Sequence, residues 1–207
     1  MKAYNTHAGD VRLVGGRLGL DVVNTAVFDG PLVAKEYWRD YAALLAWHAH
    51  AGGLGPAALE RAAAAARERP AAAAQALCRA IELRGALYRM FCAQLAGRPA
   101  EPSDLAAVNG ALAQAPLRTL DQAGRQMLWA WPPSADALDL SLWPSLHSAA
   151  DLLASPELAR VRQCEGPGCS WLFLDTSRNR SRRWCSMEDC GNLAKARRHY
   201  ARRSTAR

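Results

Sequence analysis

The chain has 207 residues, half of them hydrophobic and 22% charged, with a net charge of +7. That is enough apolar material for one or two domains with real cores. No run approaches the ~18 apolar residues of a membrane span, and the opening MKAYNTHAGDVRL lacks the apolar stretch of a secretory leader, so membrane contact is not expected and a cytoplasmic location is.

In chain order, LVGGRLGLDVVNT joins a two-glycine turn to an apolar run whose polar members are Asp21, Asn24 and Thr25. These could line a cleft for a small-molecule ligand, or cap helices and satisfy turns. Val33 to Ala51 carries Tyr37, Tyr41, Leu44 and His48 at helical spacing, and Gly52-Gly53 stops it. Pro56 opens a second helix and Pro70 ends it. The alanine runs lead into a long helix, about residues 72–96, with Leu77, Ile81, Tyr88 and Phe91 turned inward. Ser103 or Asp104 caps a short helix through Leu112. Residues 117–131 break the helical period and read as a β-hairpin. A last helical region begins at Ser134 or Asp136, kinks at Pro144 and runs to Leu153. Trp129, Trp131 and Trp143 read as core in preference to the wall of a pocket. The expected class is mainly α, a helical body with a small β-hairpin, divided near Ser155–Glu157 from a C-terminal module.

Catalytic signatures do not emerge. His48 and His50 are two apart and point to different sides of a helix, a poor metal pair. His147 reads as a packed side chain, and no nucleophile-elbow, phosphate-loop or dinucleotide motif occurs. An enzyme is not expected.

The C-terminal quarter is different. Residues 161–207 hold 11 Lys/Arg against 4 Asp/Glu, so the whole +7 excess lies there. Such a neutral body with a basic end suits a polyanion-binding module, or a solvated tail. Four of the six cysteines share this stretch as two C-x4-C pairs, Cys164/Cys169 and Cys185/Cys190, fifteen residues apart. The pattern matches a structural zinc site. A disulfide reading needs an oxidising compartment, and an iron–sulfur cluster is the rival metal reading. Cys78 and Cys92 read as small buried hydrophobes. Within EGPG, glycine and proline let the first pair converge. Trp171 to Leu174 reads as a strand, with Arg182 to Cys185 as its partner. Trp171, Phe173 and Trp184 would then cover the metal. Ser186 with Asp189 forms a capping box, starting a helix with Cys190 in its first turn. Leu193, Ala196 and Tyr200 would pack on the hairpin, leaving Lys195, Arg198 and Arg202 on another stripe. Four thiolates around Zn2+ carry −2, which would bring the module to about +5.

The segment RQCEGPGCSWLFLDTSRNRSRRWCSMEDCGNLAKARRHY resembles the CGNR zinc finger, which ends bacterial proteins that begin with an ABATE domain, a family of stress-induced transcription regulators. GGRLGLDVVNT, Gly15 to Thr25, is similar to the opening of that domain. The resemblance implies Zn2+ on Cys164, Cys169, Cys185 and Cys190, a sensing or dimerising body over 1–155 and a DNA-binding finger over 156–207. Leu193 stands where the CGNR motif has arginine. The expected function is a zinc-dependent DNA-binding transcriptional regulator. Phosphate contacts would come from Arg178, Arg180, Arg182, Arg183, Lys195, Arg197, Arg198, Arg202 and Arg203. A protein-interaction module and an RNA-binding protein are the alternatives, and a homodimer would suit paired half-sites.

Overall fold

The computed structural model describes residues 7–123, 125–132 and 135–204. After a 3-10 turn at Ala8–Asp10, the chain forms α1 (Leu18–Val23), β1 (Ala26–Asp29), β2 (Leu32–Glu36), α2 (Tyr41–Ala51) and α3 (Pro56–Glu68). It continues through α4 (Pro70–Leu95), α5 (Pro102–Gln114), β3 (Thr119–Ala123), β4 (Gln126–Ala130) and α6 (Trp143–Leu153). The C-terminal part holds β5 (Val161–Gln163), β6 (Leu172–Leu174), a π-helical turn (Met187–Gly191) and α7 (Asn192–Ser204). The protein is mainly α, and among the described residues the strands form three antiparallel pairs, β1–β2, β3–β4 and β5–β6.

The helix expected from Val33 is shorter than its apolar spacing suggested. Leu32–Glu36 pairs instead with Ala26–Asp29 around Gly30, whose φ of 58° a side chain would resist. The helix begins only after Asp40, whose carboxylate accepts the Ala43 N–H at 2.7 Å. Neither Ser103 nor Asp104 caps α5. Asp104 is buried and takes the Arg89 guanidinium through Nε at 3.0 Å. Pro144 does not kink α6; it sits in the first turn, where its missing N–H costs nothing. Ser134 lies outside the described residues, and the β3–β4 hairpin falls where the sequence put it. Trp143 is core, but Trp129 is 57% exposed with the Arg118 guanidinium over its ring.

The inward stripe of α4 is Ala73, Ala76, Ala80, Arg84, Leu87 and Phe91, while Leu77 and Ile81 lie at its margin. Small side chains bring the neighbouring helices close. Arg84 is 1% exposed and forms a two-pronged pair with Glu36, with Nη1–Oε1 at 2.8 Å. Its charge is therefore answered inside the core. At Gly19 the first helix touches α6 backbone to backbone: a Cβ there would lie 2.4 Å from the Ala149 nitrogen.

His48 is fully buried and edge-on to Trp47, ring centroids 4.9 Å apart. Desolvation pushes its pKa down to about 4. An unfolded histidine gains its proton near pH 6.5, so this contribution to stability is complete above that pH. It drains as the pH falls toward 4, by roughly 2–3 kcal/mol at pH 4.5. Asp21 has the opposite slope, because burial raises its carboxyl to about 6. Comparing wild type with His48→Leu cancels Asp21. Urea unfolding at pH 7 and 4.5 should show the variant losing less stability than wild type, and equal losses would contradict the assignment.

Candidate metal centre

Two loops bring the cysteines together. Between Cys164 and Cys169 the chain reverses through Gly168, whose φ is 73°, and the Cys169 N–H reaches Gly166 O at 2.9 Å. The second pair lies where the chain enters the C-terminal helix. The four sulfurs of Cys164, Cys169, Cys185 and Cys190 all lie within 4.8 Å of one another. Two separations are 3.8 Å (Cys169–Cys185) and 3.6 Å (Cys185–Cys190). Ligands ~2.3 Å from a tetrahedral zinc sit ~3.8 Å apart, whereas a disulfide would need ~2.05 Å. The donor set therefore fits a four-thiolate Zn2+ and not a cystine.

Protons alone balance this cluster poorly. Hydrogen bonds from Cys169 and the other thiols hold Cys164 far below the ordinary thiol range. The same bonds to Cys164 push Cys169 and Cys185 far above it. Cys190 is also held below the ordinary range, the opposing bond to Cys164 being outweighed by those to Cys169 and Cys185. Protons are shared unequally among the four, and a divalent cation is what lets all of them ionise. Main-chain N–H groups of Gly166 (3.3 Å) and Cys185 (3.2 Å) already point at the Cys164 sulfur.

Gly166 has no room for a side chain: a Cβ would lie 2.7 Å from the Cys190 sulfur and 3.3 Å from that of Cys164. Gly166→Ala should lower zinc affinity about 10- to 100-fold, as changes beside metal ligands do. Chelator competition reads this, and an unchanged affinity would contradict the packing.

The strand that partners Leu172–Leu174 is not Arg182–Cys185 but Val161–Gln163, which precedes the first cysteine. Arg182–Cys185 instead returns irregularly, with the Glu165 N–H on Arg183 O at 2.9 Å. β6 is buried at all three positions and lies against α1 of the body. Trp171 and Phe173 are buried in the core with it, and the Trp171 indole donates to Ala26 O at 3.1 Å. Asn24 clasps the Leu172 backbone from both sides at 2.8 Å, and Leu174 N donates to Gly15 O at 2.8 Å. Asp21 accepts the Gly15 N–H at 2.7 Å, and the Thr25 hydroxyl donates to Val22 O. The three polar side chains of the N-terminal motif thus hold turns and the strand beside the metal.

Ser186 caps the next element, its hydroxyl accepting the Asp189 N–H at 3.4 Å. The first turn is π-helical, Gly191 N–H to Ser186 O at 3.0 Å, and carries Cys190 into α7. Gly191 is buried against Met187 and Trp184, and Asn192 Nδ2 donates to Glu188 O at 3.0 Å. Leu193 and Ala196 are exposed instead of packing on the hairpin. Arg12 was not signalled by any motif; it pairs with Glu188 at 2.9 Å and with Asp189, tying the N-terminal segment to the start of α7.

The expected phosphate-contacting residues fall into three groups. Arg178, Arg180, Lys195 and Arg197 are exposed. Arg182 lies over the Phe173 ring at 4.3 Å and donates to Trp184 O, Val14 O and Cys185 O, while Arg183 pairs with Glu165 at 2.7 Å. Arg198, Arg202 and Arg203 belong to α7, with side chains, like that of Tyr200, outside the described residues. Of the remaining cysteines, Cys92 is half-buried and Cys78 is exposed rather than buried. A cleft of about 510 Å³ opens where the body meets the cysteine loop, lined by Phe28, Tyr88, Cys92, Arg98, Gln163 and Cys169 among others. No described helix is long and apolar enough to cross a membrane.

Among known families, residues 160–203 match the CGNR zinc finger. Residues 16–156 match the ABATE model, described as "Putative stress-induced transcription regulator". No curated protein matches the chain. Finger and thiol geometry together identify Zn2+ as the cofactor.

Proposed function

Because the chain belongs to the ABATE family and ends in a CGNR zinc finger, we propose that it is a zinc-dependent DNA-binding transcriptional regulator of the cytoplasm. Cys164, Cys169, Cys185 and Cys190 hold the metal, which supplies the cross-link that fixes where the basic helix starts. The observation that carries this reading is that the fourth cysteine lies in the capped turn that runs directly into α7, so cage and cationic helix are continuous. Arg178, Arg180, Lys195, Arg197, Arg198, Arg202 and Arg203 contact phosphates, and Arg182 braces the cage from behind. Arg12 covers Glu188 and Asp189, two carboxylates that would otherwise face the polyanion. The body through residue 155 receives the signal, with the cleft beside Cys169 as the place where a small molecule would reach the metal module. A dimer would set two such helices on paired half-sites. Fluorescence anisotropy on labelled duplex DNA tests this directly: binding should require zinc and be lost with chelator.

A protein-interaction role is the second reading, favoured by the exposed Met187 and Leu193 beside the cage. A pull-down that survives nuclease treatment, without duplex binding, would support it. RNA is less favoured, because Trp171 and Phe173, on which unpaired bases would stack, lie in the core.

A further inference from the structure

Between α4 and α6 a small pocket of about 20 Å³ is lined mostly by buried residues, among them Val22, Leu87 and Leu146, with half-buried Leu83 at its edge. Three of its lining residues bring polar atoms that are buried and without a hydrogen-bond partner among the described residues: Trp38 Nε1, Arg84 Nε and Ser145 Oγ. Their residues are 2%, 1% and 4% exposed. Isolated buried donors are rare in folded proteins, because each forfeits the hydrogen bond it made in water. Three around one small space point to a shared partner.

We propose that this cavity is a binding site for one water molecule, an integral part of the helical body. Size decides against anything larger: a water needs ~10–15 Å³ of such volume and two to four polar partners. Chemistry decides its orientation. The indole and the guanidinium Nε can only donate, so the guest accepts from both with its two lone pairs. A hydroxyl can accept, so Ser145 takes one of the guest's hydrogens. Charge decides against an anion. Arg84 is already neutralised by its two-pronged pair with Glu36, and an added halide would be an unanswered charge in the core. The water therefore links the segment before α2, which carries Trp38, to α4 and α6. It also steadies the arginine whose other arm reaches Thr25 Oγ1 at 3.1 Å.

A crystal structure of the unmodified zinc-loaded chain, grown once in ordinary buffer and once with bromide replacing chloride, tests the site. One ordered water within ~2.7–3.2 Å of the three atoms is expected, with no anomalous bromide signal there. Empty density, or bromide in the cavity, overturns the proposal. Thermal unfolding of Ser145→Ala gives an independent answer. With the water present, the variant breaks one of its bonds and should melt about 2–4 °C lower. In a dry cavity, deleting an orphan hydroxyl leaves melting unchanged or raises it, and either result would refute the proposal.

Discussion

Cys185→Ser is expected to release the metal and loosen the helical body along with the finger. A four-ligand zinc site contributes roughly 10–16 kcal/mol to small finger peptides, and a site short of one thiolate keeps only part of that. The consequences spread because β6 is buried and is hydrogen-bonded to Asn24 and Gly15 of the body. Wild-type protein should lose on the order of 10 °C in melting temperature when chelator is added, and Cys185→Ser should start from that lower value and ignore chelator. Cys78→Ser is the control, since that thiol is exposed and outside the cage. Should Cys185→Ser melt like wild type, the cage would not be holding the fold together.

The second large effect is on DNA affinity. If about five of the seven cations proposed as phosphate contacts touch phosphates at once, the logarithm of the affinity falls with a slope of roughly −4.5 against the logarithm of salt. A fourfold rise in salt then weakens binding on the order of 500-fold. Arg197→Ala should flatten the slope by about one and weaken all duplex sequences alike, the mark of a phosphate contact. Arg182→Ala should act differently, through zinc retention, since its guanidinium bonds the Trp184 and Cys185 carbonyls. A salt-independent affinity, or full binding by the zinc-free chain, would contradict the role given to the metal-anchored helix.

The cage was legible in the sequence because metal ligation is a local code: two spaced pairs, a glycine-rich turn and a capping serine each state their geometry over a few residues. The charge asymmetry was equally plain. The strand partner was not, because Arg182–Cys185 and Val161–Gln163 have similar propensities and the choice depends on which side faces the body. Nothing in LVGGRLGLDVVNT announces that Asn24 will clasp Leu172, 148 residues later. Long-range polar contacts leave no periodic trace. Arg84 was hidden for the same reason: it occupies a position of the alanine stripe where a hydrophobe is the ordinary occupant, and partners on other elements, Glu36 and Thr25, make its burial tolerable. On α7 the periodicity misled, because Leu193 and Ala196 keep the spacing of a packed face yet are exposed.

The most direct measurement is thiol protection against an alkylating reagent, made alongside elemental analysis of the zinc-replete chain. One equivalent of zinc is expected, with Cys164, Cys169, Cys185 and Cys190 unreactive until chelator is added while Cys78 reacts at once. Substoichiometric metal, or four cage thiols as reactive as Cys78 in the presence of zinc, would contradict the four-thiolate centre on which the regulator reading stands.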